Sequence, residues 1–198
     1  MPSIQPRLFA NFHLDLTVMT ELSHAYLFQA AFLAITGILI LTNANVLRTF
    51  RRSTVAGVLL AGSAVALLAW NLWNLSEPDL AGFPRMPVVV VFSIAGLAAF
   101  IWMPDLIAVR GLGALMLFFA RGCLDAGWMK LPDSLLCASI SYAILAIPGL
   151  WWAASPGAFS VHMDMVLATP LRRRATGVFL CLLAFAAATS AWRLSFVA

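Results

Sequence analysis

Apolar runs of about twenty residues, broken by short polar connections, fill most of this chain. A helix needs ~20 apolar residues to cross the ~30 Å hydrocarbon core of a bilayer, and a helix in a soluble core does not need that length. In lipid the backbone amides have to be satisfied within the segment, turn by turn, which a helix does. Hydrophobic residues make up 63% of the 198 and charged residues only 10%. The expected class is therefore all-α, a polytopic helical membrane protein with its bilayer as principal partner.

Six spans are expected, at about 25–44, 54–75, 86–103, 106–124, 135–154 and 176–196. Asn43, Asn45, Arg48, Arg51 and Arg52 end the first. The second ends in Trp70-Asn71-Leu72-Trp73-Asn74, where Trp fits the interfacial belt. The third stops at Pro104, and Asp105 and Asp133 read as helix caps for the spans that follow them. Pro148 and Gly149 interrupt the fifth, where a proline removes one helix hydrogen bond and bends the axis. Nearly the whole length is used by spans, so residues 1–198 form one integral membrane domain.

Two further segments are expected at the interface. In residues 1–22, Leu8, Phe9, Phe12, Leu16 and Met19 share a helical face, the pattern of an amphipathic segment lying on a membrane. No continuous apolar core or cleavage site marks that stretch as a signal peptide. Residues 156–169 read as a short interfacial helix, with Ser155-Pro156 at its start, Phe159, Met163, Val166 and Leu167 on one face, and Pro170 at its end.

The formal charge of +4 comes from 12 Lys and Arg against 8 Asp and Glu. The cations cluster beside the apolar runs, which is anchoring and not a nucleic-acid footprint. Connections after spans one, three and five carry Arg48, Arg51, Arg52, Arg110 and Arg172–Arg174. The opposite side carries Arg7, Arg85, Arg121, Lys130 and Arg193, spread more thinly. Positive-inside weighting puts the dense clusters in the cytoplasm and both termini on the non-cytoplasmic side. Short connections and no transit peptide suit a bacterial inner (plasma) membrane.

An internal repeat is visible. Arg110, Gly113 and Trp128 are spaced as Arg174, Gly177 and Trp192 are, and Arg52, Gly57 and Trp70 give a looser copy. Gly37, Gly96 and Gly149 mark the first helix of each pair. The expected arrangement is three tandem hairpins, 25–75, 86–128 and 135–198, in which glycines let backbones approach. Basic residues at one end and Trp at the other are also the general grammar of membrane helices, and only the matched spacing goes beyond it.

Ionisable groups within a span are the first candidates for function. Arg110 lies about one and a half turns inside the fourth span. Arg121 is close to three turns further along the same face, and Asp125 one turn beyond can pair with it. Two readings stand: headgroup anchors with an interfacial salt bridge, or a positively lined path for an anionic or lipid-like solute. Asn71 and Asn74 are candidates for bonds across helices or to a partner. His24 at the mouth of span one is the candidate single ligand. His13, His24 and His162 do not form the facing pair a bis-His haem requires, and no cofactor or metal is expected. Lys130, the only lysine, sits in a connection, which argues against a Schiff base.

Cys123, Cys137 and Cys181 form no CxxC and read as buried free thiols. Tyr26 and Tyr142 form no motif. Neither a nucleophile elbow, a zinc-protease motif, a phosphate-cradling loop nor a pair of mid-span carboxylates is present. The leading expectation is a non-enzymatic accessory or scaffolding subunit of a larger inner-membrane assembly, with other membrane subunits as partners. The alternative is a small transporter or channel for an anionic or lipid-like solute using the Arg-bearing fourth span.

Overall fold

A computed structural model describes the backbone of residues 5–102 and 106–197, with side chains for 21–43, 45–100, 102 and 106–196. Every regular element among the described residues is helical: α1 (Gln5–Thr42), α2 (Ala44–Phe50), α3 (Thr54–Trp73), α4 (Arg85–Trp102), α5 (Ile107–Ala126), α6 (Leu135–Ile140), a π segment (Ser141–Ala146), α7 (Ile147–Ala154), α8 (Gly157–Leu167) and α9 (Pro170–Val197), with one 3₁₀ turn at Pro78–Leu80. Five stretches are long and apolar enough to cross a membrane: Glu21–Thr42, Thr54–Trp73, Ile107–Ala126, Leu135–Ala154 and Pro170–Phe196. The expected third span is the shorter apolar helix Arg85–Phe100.

Some boundaries differ from expectation for local reasons. The backbone of α1 runs on from Gln5 through Thr42, with no break between the amphipathic segment and the first span. The side chains of Leu8, Phe9, Phe12, His13, Leu16 and Met19, and the residues Pro104 and Asp105, lie outside the described set. Pro170 begins α9 instead of only ending the pattern before it. A proline at the first helical position loses nothing, because that N–H has no helical acceptor. The interruption expected at Pro148 takes the form of a π segment that ends just before it. A wider i→i+5 turn accommodates the missing N–H without ending the span. Ser53 caps α3, its Oγ accepting from the Ala56 N–H at 3.2 Å.

The chain divides into two compact units. The first comprises residues up to 44, 120–143 and 166 onward. Its backbone is the antiparallel pair of α1 and α9. Ser23 Oγ donates to the Ala191 carbonyl at 3.1 Å, Gly37 faces Gly177, and Arg173 reaches the Ile40 and Leu41 carbonyls. From Ser23 to Leu41 the helix rises ~27 Å, nearly the thickness of the hydrocarbon core. The close approach follows from the sequence of α9: Gly177, Leu180, Ala184, Ala187, Ala191 and Leu194 recur every three or four residues and are all buried. Small residues on such a stripe let backbones touch where lipid gives no hydrophobic drive for association.

The second unit comprises residues 45–119 and 144–165. Here α3 and α5 run parallel: Gly57 stands beside Ala108, and Gly111 beside Ala61. α4 returns along α3, with Gly96 against Leu68 and Val65. α7 runs antiparallel to α5, where a methyl built on Gly113 would lie 2.6 Å from the Gly149 carbonyl oxygen. The glycines noted in the first helix of each expected hairpin make their close approaches to helices outside that hairpin. Gly37 meets α9, Gly96 meets α3 and Gly149 meets α5.

Candidate functional site

The first unit holds a buried polar cluster between α1 and α6. The side chains of Tyr26, Gln29 and Ser141 are almost wholly shielded. α6 starts at Leu135, and its preceding Ser134 makes no side-chain cap. The orphan N–H of the first turn is met from α1 instead. Cys137 N–H donates to the Tyr26 hydroxyl at 3.1 Å, and that hydroxyl donates to the Asp133 carbonyl at 2.6 Å. One phenol oxygen so satisfies a donor and an acceptor that the helix start leaves over.

Gln29 stands one turn along α1. Its Nε2 donates to the Cys137 carbonyl at 2.9 Å and to Ser141 Oγ at 2.8 Å. The two bonds fall where the α-helix gives way to the π segment, and the Cys137 carbonyl takes the Gln29 amide as a second donor beside the Ser141 N–H. Gln29 Oε1 is buried without a donor among the described residues. Cys123 and Cys137 line the same region as free thiols, with Cys137 Sγ 3.7 Å from the Cys123 carbonyl oxygen and Cys123 Sγ 3.9 Å from that of Ala25. The cluster supplies hydrogen bonds and no acid–base pair. It clamps the entry of α6 against α1. No group of three or more His, Cys, Asp or Glu placed to hold a metal occurs among the described residues.

Neither Gln29 nor Tyr26 belongs to a sequence motif. The available signal was an amide inside an apolar run, Phe28-Gln29-Ala30. A polar side chain there requires a partner in lipid.

The residues singled out from sequence are placed as follows. Arg110 Nη1 donates to the Ala153 carbonyl at the end of α7, at 3.1 Å, and its Nε is buried and unpartnered among the described residues. Arg121 Nε lies 3.5 Å from Asp125 Oδ2, with both side chains largely exposed. Asn71 and Asn74 turn back on their own helix, donating to the Leu67 carbonyl at 2.8 Å and the Trp70 carbonyl at 2.7 Å. They help to finish α3 and do not reach another helix. His24 is exposed on α1. His162 is engaged, its Nδ1 accepting from Trp152 Nε1 at 3.0 Å. Asp133 does not cap α6 with its carboxylate, which instead holds Arg193 at 2.6 Å.

Arg173 matches Arg110 in role. Its Nε donates to the Ile40 carbonyl at 2.7 Å and an Nη to that of Leu41, both in the last turn of α1. Each arginine therefore caps the C-terminus of a neighbouring helix one turn beyond a close glycine contact, Gly113 with Gly149 and Gly37 with Gly177. A guanidinium there satisfies orphan carbonyls and opposes the negative end of the helix dipole. The repeated spacing pointed to Arg174, but its neighbour Arg173 has the angular position that reaches α1.

The ion pairs are unevenly distributed. Arg85–Glu77, Arg121–Asp125, Lys130–Glu21 and Arg193–Asp133 neutralise the described cations of one sequence-assigned side. Among the described residues no carboxylate lies within salt-bridge range of Arg48, Arg51, Arg52, Arg110, Arg172, Arg173 or Arg174. No protein-family model, no curated protein and no solved structure matches this chain.

Proposed function

We propose that this chain is a non-enzymatic integral membrane subunit that joins a larger assembly through an uncovered face of α3. The observation carrying this proposal is the middle of that face. Val55, Leu59, Gly62, Ser63, Ala66 and Trp70 recur at helical spacing and are all exposed. α3 is the least buried of the five long apolar helices. A Cβ added to Gly62 would meet nothing within 4 Å. The Ser63 hydroxyl makes no hydrogen bond to another described residue. A small-polar-small patch between large apolar side chains is the surface that admits a second helix in lipid, with the hydroxyl as a cross-helix donor.

The membrane is a bacterial plasma membrane in this proposal, with six spans as three tandem hairpins and both termini outside. Support for the sidedness comes from the uneven ion pairing: the uncompensated arginines face the anionic cytoplasmic leaflet. Support for the repeat comes from the two arginine caps, each one turn from a glycine contact, with Arg173 one residue off the spacing that relates Arg110 to Gly113. The short apolar helix Arg85–Phe100 crosses as the third span if the bilayer thins locally or flanking side chains snorkel, a modest cost for a mismatch of a few ångströms. The Arg-lined transport path has less support, since Arg110 is turned to a helix end and Arg121 is exposed beside Asp125.

The test is isolation of the tagged protein in mild detergent. A stoichiometric membrane partner is expected, retained by wild type and lost on Gly62→Leu with Ala66→Leu. A chain that isolates alone and conducts anions in liposomes would instead establish the transporter.

A further inference from the structure

We propose that the turn from α2 into α3 is a binding site for a phosphate-bearing anion, an arginine-lined pocket at headgroup depth. Arg51, Arg52 and Ser53 join the two helices, and the reversal gathers Arg48, Arg51 and Arg52 around a cavity of about 690 Å³. Val46, Phe50 and Ala56 form its apolar wall.

The pocket is built and not merely charged. Arg51 is half-buried, and its Nη1 donates to Ser160 Oγ at 2.6 Å, which fixes the guanidinium while leaving its other donors for a ligand. Phe50 packs on Phe159, with ring centroids 6.1 Å apart, and holds the apolar wall from the same helix, α8. Three like charges at one cavity repel one another, and among the described residues no carboxylate pairs with any of them. Arg85, Arg121, Lys130 and Arg193 each have a carboxylate partner, whereas the arginines of this pocket have none among the described residues. The first turn of α3 adds its partial positive charge beneath the arginines.

The ligand class follows from the donors. A guanidinium fork matches phosphate oxygens in pairs, and several forks around one cavity suit a tetrahedral anion better than a single planar carboxylate. The depth follows from α3: the apolar stretch Thr54–Trp73 begins directly after Ser53 of the pocket lining, at the level where phospholipid headgroups lie. A phosphate diester with its glycerol against Val46, Phe50 and Ala56 fits both halves of the lining. A free phosphate would use only the arginines. This site does not depend on the docking face of α3, and loss of a protein partner would leave it intact.

The experiment uses the full chain in nanodiscs and in neutral detergent. The probes are phosphatidylglycerol, phosphatidylcholine and inorganic phosphate, with bound ligand read by native mass spectrometry. Wild type is expected to retain phosphatidylglycerol over phosphatidylcholine. Arg51→Gln with Arg52→Gln should weaken that binding about tenfold or more, against about twofold for the charge-matched Arg172→Gln with Arg174→Gln. Arg48→Gln with Arg52→Gln leaves the Arg51–Ser160 bond in place and gives the same loss should the first variant fold poorly. Saturable binding of inorganic phosphate, lost in the same variants, would identify a soluble phosphate as the source. The proposal is overturned if wild type retains neither probe selectively, or if the two charge-matched variants lose binding equally, since diffuse charge would then suffice.

Discussion

Gly113 of α5 and Gly149 of α7 meet backbone to backbone, so close that a Cβ on either would fall within 3.0 Å of the other's carbonyl oxygen. The contact leaves no room for a side chain on Gly113, where the neighbours that would have to yield are backbone atoms of Gly149 and Ala153. Gly113→Leu should therefore destabilise the protein by about 3 kcal/mol or more, the upper range for overpacking. Gly122→Ala, where nothing lies within 4 Å, should not destabilise the protein and should gain about 0.5–1 kcal/mol from helix propensity. Thermal and denaturant unfolding in detergent compares the two.

Tyr26 carries two bonds that nothing else replaces. Tyr26→Phe leaves the Cys137 N–H and the Asp133 carbonyl unpaired at the start of α6, at a cost of about 1–3 kcal/mol for groups stranded in the interior. Tyr142→Phe is the control, since Tyr142 is exposed, and it should fall within about 0.5 kcal/mol of wild type. The difference also reports on order: hydrogen exchange at the first turn of α6 should rise in Tyr26→Phe and not in Tyr142→Phe.

Arg173 and Arg174 are adjacent in sequence and unequal in the fold. Arg173 bonds the last carbonyls of α1, whereas Arg174 is exposed. Arg173→Gln should cost about 1.5–3 kcal/mol, the range for hydrogen bonds from a charged group, and Arg174→Gln less than about 0.5 kcal/mol. Equal effects in an unfolding assay would mean that bulk charge, not capping, explains the triplet.

The helices were legible in the sequence because lipid imposes one length and one apolar composition on every span. Arg121 with Asp125 was legible too, because an i,i+4 pair is set by helix geometry alone. What the sequence did not disclose depends on which helices become neighbours. Gly37 finds Gly177 at a separation of 140 residues (177 − 37), and no local pattern announces that pairing. Gln29 signals that a polar group needs a partner without saying that its partners are the Cys137 carbonyl of α6 and the Ser141 hydroxyl. Asn71 and Asn74 looked available for another helix, yet an amide at a helix end can satisfy itself on its own carbonyls. Arg173 and Arg174 differ by ~100° around the helix axis, and only the position of α1 decides between them.

The bilayer is the physical basis of all these readings, since the exposed surface of the five long apolar helices is made of residues such as Val58, Leu150, Leu182 and Phe185. Washing isolated membranes with alkaline carbonate separates embedded chains from adherent ones. The full-length protein should remain in the membrane pellet and leave it only with detergent. Recovery in the carbonate supernatant as a folded, monodisperse species would contradict the transmembrane assignment and every orientation drawn from it.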